Sequence, residues 1–123
     1  MTTPKRNRRS AKAAGSSFER LIADYLKTEL GNPNIDRMVK SGSKDRGDIA
    51  NVRDSHSRLI AVEAKNTAKM NLPAWTNEAQ AEAENYGAHV GVVVHKRHGV
   101  GDPGKQWVTM ELDDLIRLLK NGD

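Results

Sequence analysis

Cysteine is absent from this 123-residue chain, which excludes zinc ribbons, thiol nucleophiles and disulfide scaffolds together and fits a reducing compartment. Aromatic residues are nearly as scarce. At 4% of the sequence they offer few platforms on which bases could stack, and any core has to be built from Ile, Val, Leu and Ala. No apolar run approaches the roughly 20 residues that cross a bilayer, and the N-terminus carries charges where a signal peptide needs an apolar stretch. The expectation is a soluble, cytoplasmic protein with no membrane partner. The length suits one compact domain, burying about two-thirds of the surface its unfolded chain exposes.

What is present is an uneven charge. The net +4 conceals five cations and no anion in the first twelve residues (Lys5, Arg6, Arg8, Arg9 and Lys12), leaving a nearly neutral body. A basic arm on a neutral body is either an electrostatic hold on phosphate or a solubilising tail. Residues 1–14 also lack hydrophobic periodicity, so they are expected to form a flexible basic arm ahead of a domain spanning 15–123.

Order is expected from Ser16 or Ser17, where a serine cap precedes Phe18, Leu21, Ile22, Tyr25 and Leu26 at helical spacing. Gly31 and Pro33 end that helix. Residues 35–40 read as a short strand, and the polar stretch 41–47 leads into a second strand at 48–52. Residues 59–65 form the strongest strand of the first half, with Ile60, Val62 and Ala64 on one face and Ala61, Glu63 and Lys65 on the other. Pro73 opens a helix to about Tyr86 whose stripe is Trp75, Ala79, Ala83 and Tyr86. Val90 to Val94 suits a buried strand, Trp107 to Met110 a shorter one, and Leu112, Leu115, Ile116 and Leu119 mark a closing helix. The order α-β-β-β-α-β-β-α predicts an α/β fold with a mixed sheet flanked by helices.

Glu63-Ala64-Lys65 is the one place where an acid is followed two positions later by lysine. Chance alone supplies about one such match in a chain of this composition, so context must carry it. On a strand, Glu63 and Lys65 share a face, opposite an apolar one. Asp48 begins the preceding strand after Gly47, so a hairpin would bring its carboxylate to Glu63. Two carboxylates beside one ammonium repel unless a cation sits between them, and oxygen ligands without Cys or a His cluster point to Mg²⁺ or Mn²⁺. Otherwise Asp48 caps its own turn.

Gly47-Asp48, a strand, a turn, then Val62-Glu63-Ala64-Lys65 resembles the PD-(D/E)XK nuclease superfamily, with glycine in place of its proline. Within it the chain is most similar to the Holliday junction resolvases of archaeal and phage type, through Glu19-Arg20 on the first helix and the Ser41-Gly42-Ser43 loop. The resemblance implies a restriction-endonuclease-like core and a Mg²⁺-dependent endonuclease, with Mn²⁺ as substitute, cutting four-way or otherwise branched DNA as a homodimer in recombination or repair. It places such a protein in a bacterial or phage-infected cell. It implies that Asp48, Glu63 and the Ala64 carbonyl bind metal and that Lys65 positions or helps deprotonate the attacking water. Glu19 either completes the outer shell or is an ordinary helix acid near the N-terminus. Ser43 either contacts phosphate or a metal-bound water or is a plain loop serine. The basic arm, Arg20, Ser41, Ser43, Lys44, Arg46, Lys96 and Arg97 are the expected DNA contacts. The rivals are a restriction-like or mismatch-nicking enzyme of the same superfamily and a non-catalytic DNA-binding protein.

Two other signals are weaker. Gly99 to Lys105 satisfies GxxxxGK, but Gln106 replaces the required Ser or Thr and the segment leads into a strand, whereas a phosphate loop must open a helix. His95 and His98 flank Lys96-Arg97 without a third metal partner nearby, so this group reads as a meeting point with DNA backbone or as solvated loop.

Overall fold

The computed structural model describes residues 7–120. Its elements are α1 (Arg8–Leu30), β1 (Asp36–Arg37), β2 (Ile49–Ala50), β3 (Ile60–Lys65), α2 (Leu72–Tyr86), β4 (Val90–His95), a 3-10 turn at Pro103–Lys105, β5 (Trp107–Thr109) and α3 (Leu112–Leu119). This is the expected order with one added turn. The sheet runs β1-β2-β3-β4-β5, parallel between β3 and β4 and antiparallel at the other joins. The architecture is that of a restriction-endonuclease-like fold. No helix of the described residues is long and apolar enough to cross a membrane.

Alternation along the central strands divides the core. Val62, Ala64, Val92 and Val94 meet Phe18, Ile22 and Ala23 of α1, while Val93 on the opposite face meets Trp75 and Ala79 of α2. α2 is the crossover that parallel strands require. It lies very close to the sheet, because a Cβ at Gly91 would fall 2.2 Å from the Ala79 carbonyl oxygen. Small residues at 79, 83 and 91 therefore set how near the α2 side chains come to β3.

The first helix starts well ahead of Ser16. Asn7 caps it, its Oδ1 accepting the Ser10 N–H at 2.8 Å, and Ala11, Lys12, Ala13 and Ala14 are strong enough helix formers to extend it without an apolar stripe. Arg8, Arg9 and Lys12 accordingly sit on exposed helical turns, correcting the expectation of a structureless arm through residue 14. Lys5 and Arg6 lie outside the described residues. β1 and β2 are also shorter than the patterns at 35–40 and 48–52 predicted.

α3 forms where expected, but its stripe points outward. Asp114 is 2% exposed, its Oδ2 accepting from Gln80 Nε2 at 2.6 Å and from the Gly91 N–H at 3.1 Å. That clasp turns Asp114 and Leu118 inward and leaves Leu112, Leu115, Ile116 and Leu119 exposed.

Candidate functional site

Asp48 is held from three sides. Its N–H donates to the Val62 carbonyl at 2.8 Å and its own carbonyl accepts from Met38, which fixes the backbone at the mouth of β2. Gly47 makes this possible with a left-handed φ of 98° and no Cβ, which would otherwise lie 2.9 Å from the Val62 carbonyl oxygen. The Asp48 carboxylate accepts from the Ala64 N–H at 2.8 Å through Oδ2 and from Lys40 Nζ at 3.2 Å through Oδ1. Since the N–H and C=O of one strand residue point the same way, the Ala64 carbonyl is directed to this edge as well.

Glu63, one strand over and on the α2 face, contacts both Asp48 and Glu82. Oxygens of Asp45, Glu63 and Glu82 all lie within 4.8 Å of one another. Glu82 is 2% exposed and neither of its carboxylate oxygens receives a hydrogen bond from a donor group. Glu78, one turn earlier on α2, pairs with Lys65 Nζ at 3.0 Å, so residues four apart present one acid to the cluster and one to the lysine.

Electrostatics follow from this crowding. Burial first, then contact with Asp48 and Glu82, pushes the Glu63 carboxyl far above the usual range. Burial and neighbouring acids also raise Glu82. Burial would raise Asp48 too, but bonds from the Glu63 carboxyl, the Ala64 amide and Lys40 outweigh it and hold Asp48 low. For Lys65, burial favours the neutral amine and is overcome by Glu78 and Glu63, so it stays an ammonium. Buried carboxylates without donors require either a shared proton or a cation. The all-oxygen donor set fits a hard divalent ion.

A family model described as "Phage putative PDDEXK endonuclease" matches the chain across residues 10–122. The chain belongs to this family. Membership implies a nuclease of PDDEXK type. No curated protein and no solved structure matches the chain at significance.

The residues expected for a PDDEXK site divide into three groups. Asp48, Glu63, Ala64 and Lys65 come together at one end of β2 and β3, as the sequence motif suggested. Glu19 joins them from α1: burial and the Asp48 charge raise its carboxyl against the lowering effect of Arg37 and Lys40, and it pairs with Arg37 at 3.6 Å. Ser41, Ser43 and Lys44 line the exposed 38–47 loop beside the site, around a cleft of about 190 Å³.

Others are engaged elsewhere. Arg20 is tied to Asp24 and Asp36, and Arg46 to the Val39 carbonyl and Ser41. Lys96 turns onto the Val100 carbonyl, while Arg97 is exposed and stacks over Trp107 at 5.5 Å. His95 is not an exposed DNA contact: it is 4% exposed between Trp75 and Trp107, with Nε2 at 2.8 Å from Thr109 Oγ1. The GxxxxGK segment leads through its 3-10 turn into β5, and no helix opens there to receive phosphate.

Sequence reasoning missed Glu82, Asp45, Lys40 and Glu78. The signal for Glu82 was available: it lies three residues after Ala79 and seven after Trp75, on the apolar side of α2. A charged residue on an otherwise buried stripe calls for a partner.

Proposed function

We propose that this PDDEXK protein is a divalent-metal-dependent endonuclease that hydrolyses phosphodiesters in branched DNA, with Asp48, Glu63 and Glu82 as cation-binding carboxylates. The observation that carries this reading is Glu82, a buried carboxylate whose contact is with another acid, Glu63, and whose oxygens receive no N–H or hydroxyl donor. Such a pair is costly unless it keeps a shared proton or a cation sits between its oxygens, and the all-oxygen cluster around it supports the cation. Mg²⁺ is the ion its oxygen donors suit, with Mn²⁺ as substitute, and the Ala64 carbonyl is a further donor. When bound, the ion stabilises charge on the scissile phosphate and lowers the pKa of water.

The protein's own groups do the rest. The Ala64 amide and Lys40 fix the Asp48 oxygens, so they need no reorganisation during the reaction. Lys65, kept protonated by Glu78, donates to the attacking water or to a non-bridging phosphate oxygen; it orients and stabilises and does not act as a base. Glu19 holds an outer position opposite α2. Attack of water on phosphorus with departure of the 3′-oxygen leaves 5′-phosphate and 3′-hydroxyl ends.

Shape is the proposed basis of selection. The described β-strands and helices pack around one sheet, and the exposed cations Arg8, Arg9, Lys12, Lys44 and Arg97 suit phosphate, which carries no sequence information. Labelled four-way junction and linear duplex of the same sequence, with and without Mg²⁺, provide the test. The junction should bind at least about tenfold more tightly, a preference of roughly 1.4 kcal/mol, and show paired nicks only with metal. Efficient cutting of linear duplex at one short sequence would instead make the enzyme restriction-like. Binding without any metal-dependent cleavage would refute the catalytic reading.

A further inference from the structure

α3 presents an apolar face to solvent. Leu112 is 71% exposed, Leu115 40%, Ile116 41% and Leu119 72%. The four α3 residues follow the i, i+3, i+4, i+7 spacing of a helical seam. From these exposures the stripe amounts to on the order of 400 Å² of apolar surface, at the scale of the largest patches that monomers carry. The orientation is built in, because the Asp114 clasp to Gln80 and Gly91 holds the opposite face of the helix against the sheet.

We propose that α3 pairs antiparallel with α3 of a second copy of this chain about a two-fold axis. A two-fold contact needs a self-complementary surface, and the stripe is one. Reversing the helix sets Leu112 against Leu119 of the other copy and Leu115 against Ile116, so every apolar residue meets another. Charge follows the same rule. Asp113 near the start of α3 and Lys120 just past its end lie on the same flank, are both exposed, and make no ion pair among the described residues. In the antiparallel register each faces the other across the seam, twice per dimer. Antiparallel helices also oppose their dipoles favourably. At about half of the roughly 800 Å² per partner of a standard interface, the stripe with its charged rim suits a weak dimer, one that dissociates on dilution. The surface lies apart from the carboxylate cluster, so the inference stands whether or not the nuclease reading holds. If both hold, one particle carries two sites for two strands.

Sedimentation of the full chain, without DNA or metal, tests the pairing. The wild type should sediment as a dimer that dissociates on dilution. Leu115→Glu should give a monomer with an unchanged circular dichroism spectrum, since Leu115 is exposed. Asp113→Lys and Lys120→Asp should each weaken dimerisation about tenfold, by turning attraction into repulsion at two places. The double exchange should restore it. A monomeric wild type at all concentrations would overturn the proposal, as would a dimer indifferent to Leu115→Glu or a double exchange no better than the single ones.

Discussion

Replacing Glu82 by glutamine removes one charge from the cluster at nearly constant shape, and its effect on stability should reverse sign with metal. Two carboxylate charges within 4.8 Å of each other repel by at least about 3.5 kcal/mol at an effective dielectric of about 20. Without a cation the folded protein avoids this by retaining a proton on the Glu63–Glu82 pair: burial and contact with Asp48 and Glu82 raise Glu63, while burial and the charges of Asp45, Asp48 and Glu78 raise Glu82. The sign is fixed: above pH 4.5 the native state holds a proton that the unfolded state has lost, so metal-free stability falls as pH rises, by up to about 1.4 kcal/mol per unit. Asp48 does not offset this, because its lowered carboxyl contributes fully above its unfolded value of 3.8. Glu82→Gln can donate an amide N–H to Glu63, so the metal-free variant should melt higher than wild type at pH 8, by about 1–2 kcal/mol, or roughly 4–8 °C for a domain of this size. Saturating Mg²⁺ at about a hundred times its Kd should stabilise wild type by about 2.7 kcal/mol and flatten its pH dependence, while the variant gains much less. Thermal melts from pH 5 to 8 with Mg²⁺ and with chelator measure all of this. A wild type whose melting ignores Mg²⁺, or a variant that melts lower in chelator, would refute the reasoning.

Asp48→Asn and Glu63→Gln should each abolish cleavage while junction binding persists, and Lys65→Ala should lose cleavage yet keep the Mg²⁺-induced rise in melting temperature; undiminished turnover by any of them at saturating Mg²⁺ would remove that residue from the site. Deleting residues 1–12 takes away the five cations at 5, 6, 8, 9 and 12 and should weaken binding to all DNA forms alike, flattening the slope of log K against log salt by up to about 4 units, read from titrations at several salt concentrations. Gly91→Ala places a Cβ 2.2 Å from the Ala79 carbonyl oxygen, so it should cost about 1–3 kcal/mol in urea unfolding and depress cleavage, because α2 carries Glu82. An equally active, equally stable variant would mean that helix height over the sheet is not controlled there.

Local pattern made half of the site legible and left the other half hidden, and the division has a physical basis. Asp48, Glu63 and Lys65 belong to two strands of one hairpin, where alternation fixes facing and the turn fixes proximity. Glu82 arrives across a crossover helix, so its distance from Glu63 depends on packing that the Gly91–Ala79 contact decides. The N-terminal boundary failed for a related reason. A helix extended from a packed segment needs only propensity and the Asn7 cap, so Arg8 to Ala14 carries no periodicity to read. His95 misled because the end of a strand in sequence is not the edge of a protein in space: Trp75 and Trp107 cover it. The α3 stripe makes the same point in reverse. Its spacing identified the helix correctly, yet the side turned to the core was chosen by Asp114, an acid whose partners lie on α2 and β4. Periodicity establishes that an apolar face exists; which surface covers it is settled by the polar contacts that fix the helix's rotation, and here they leave that face to be matched by another molecule.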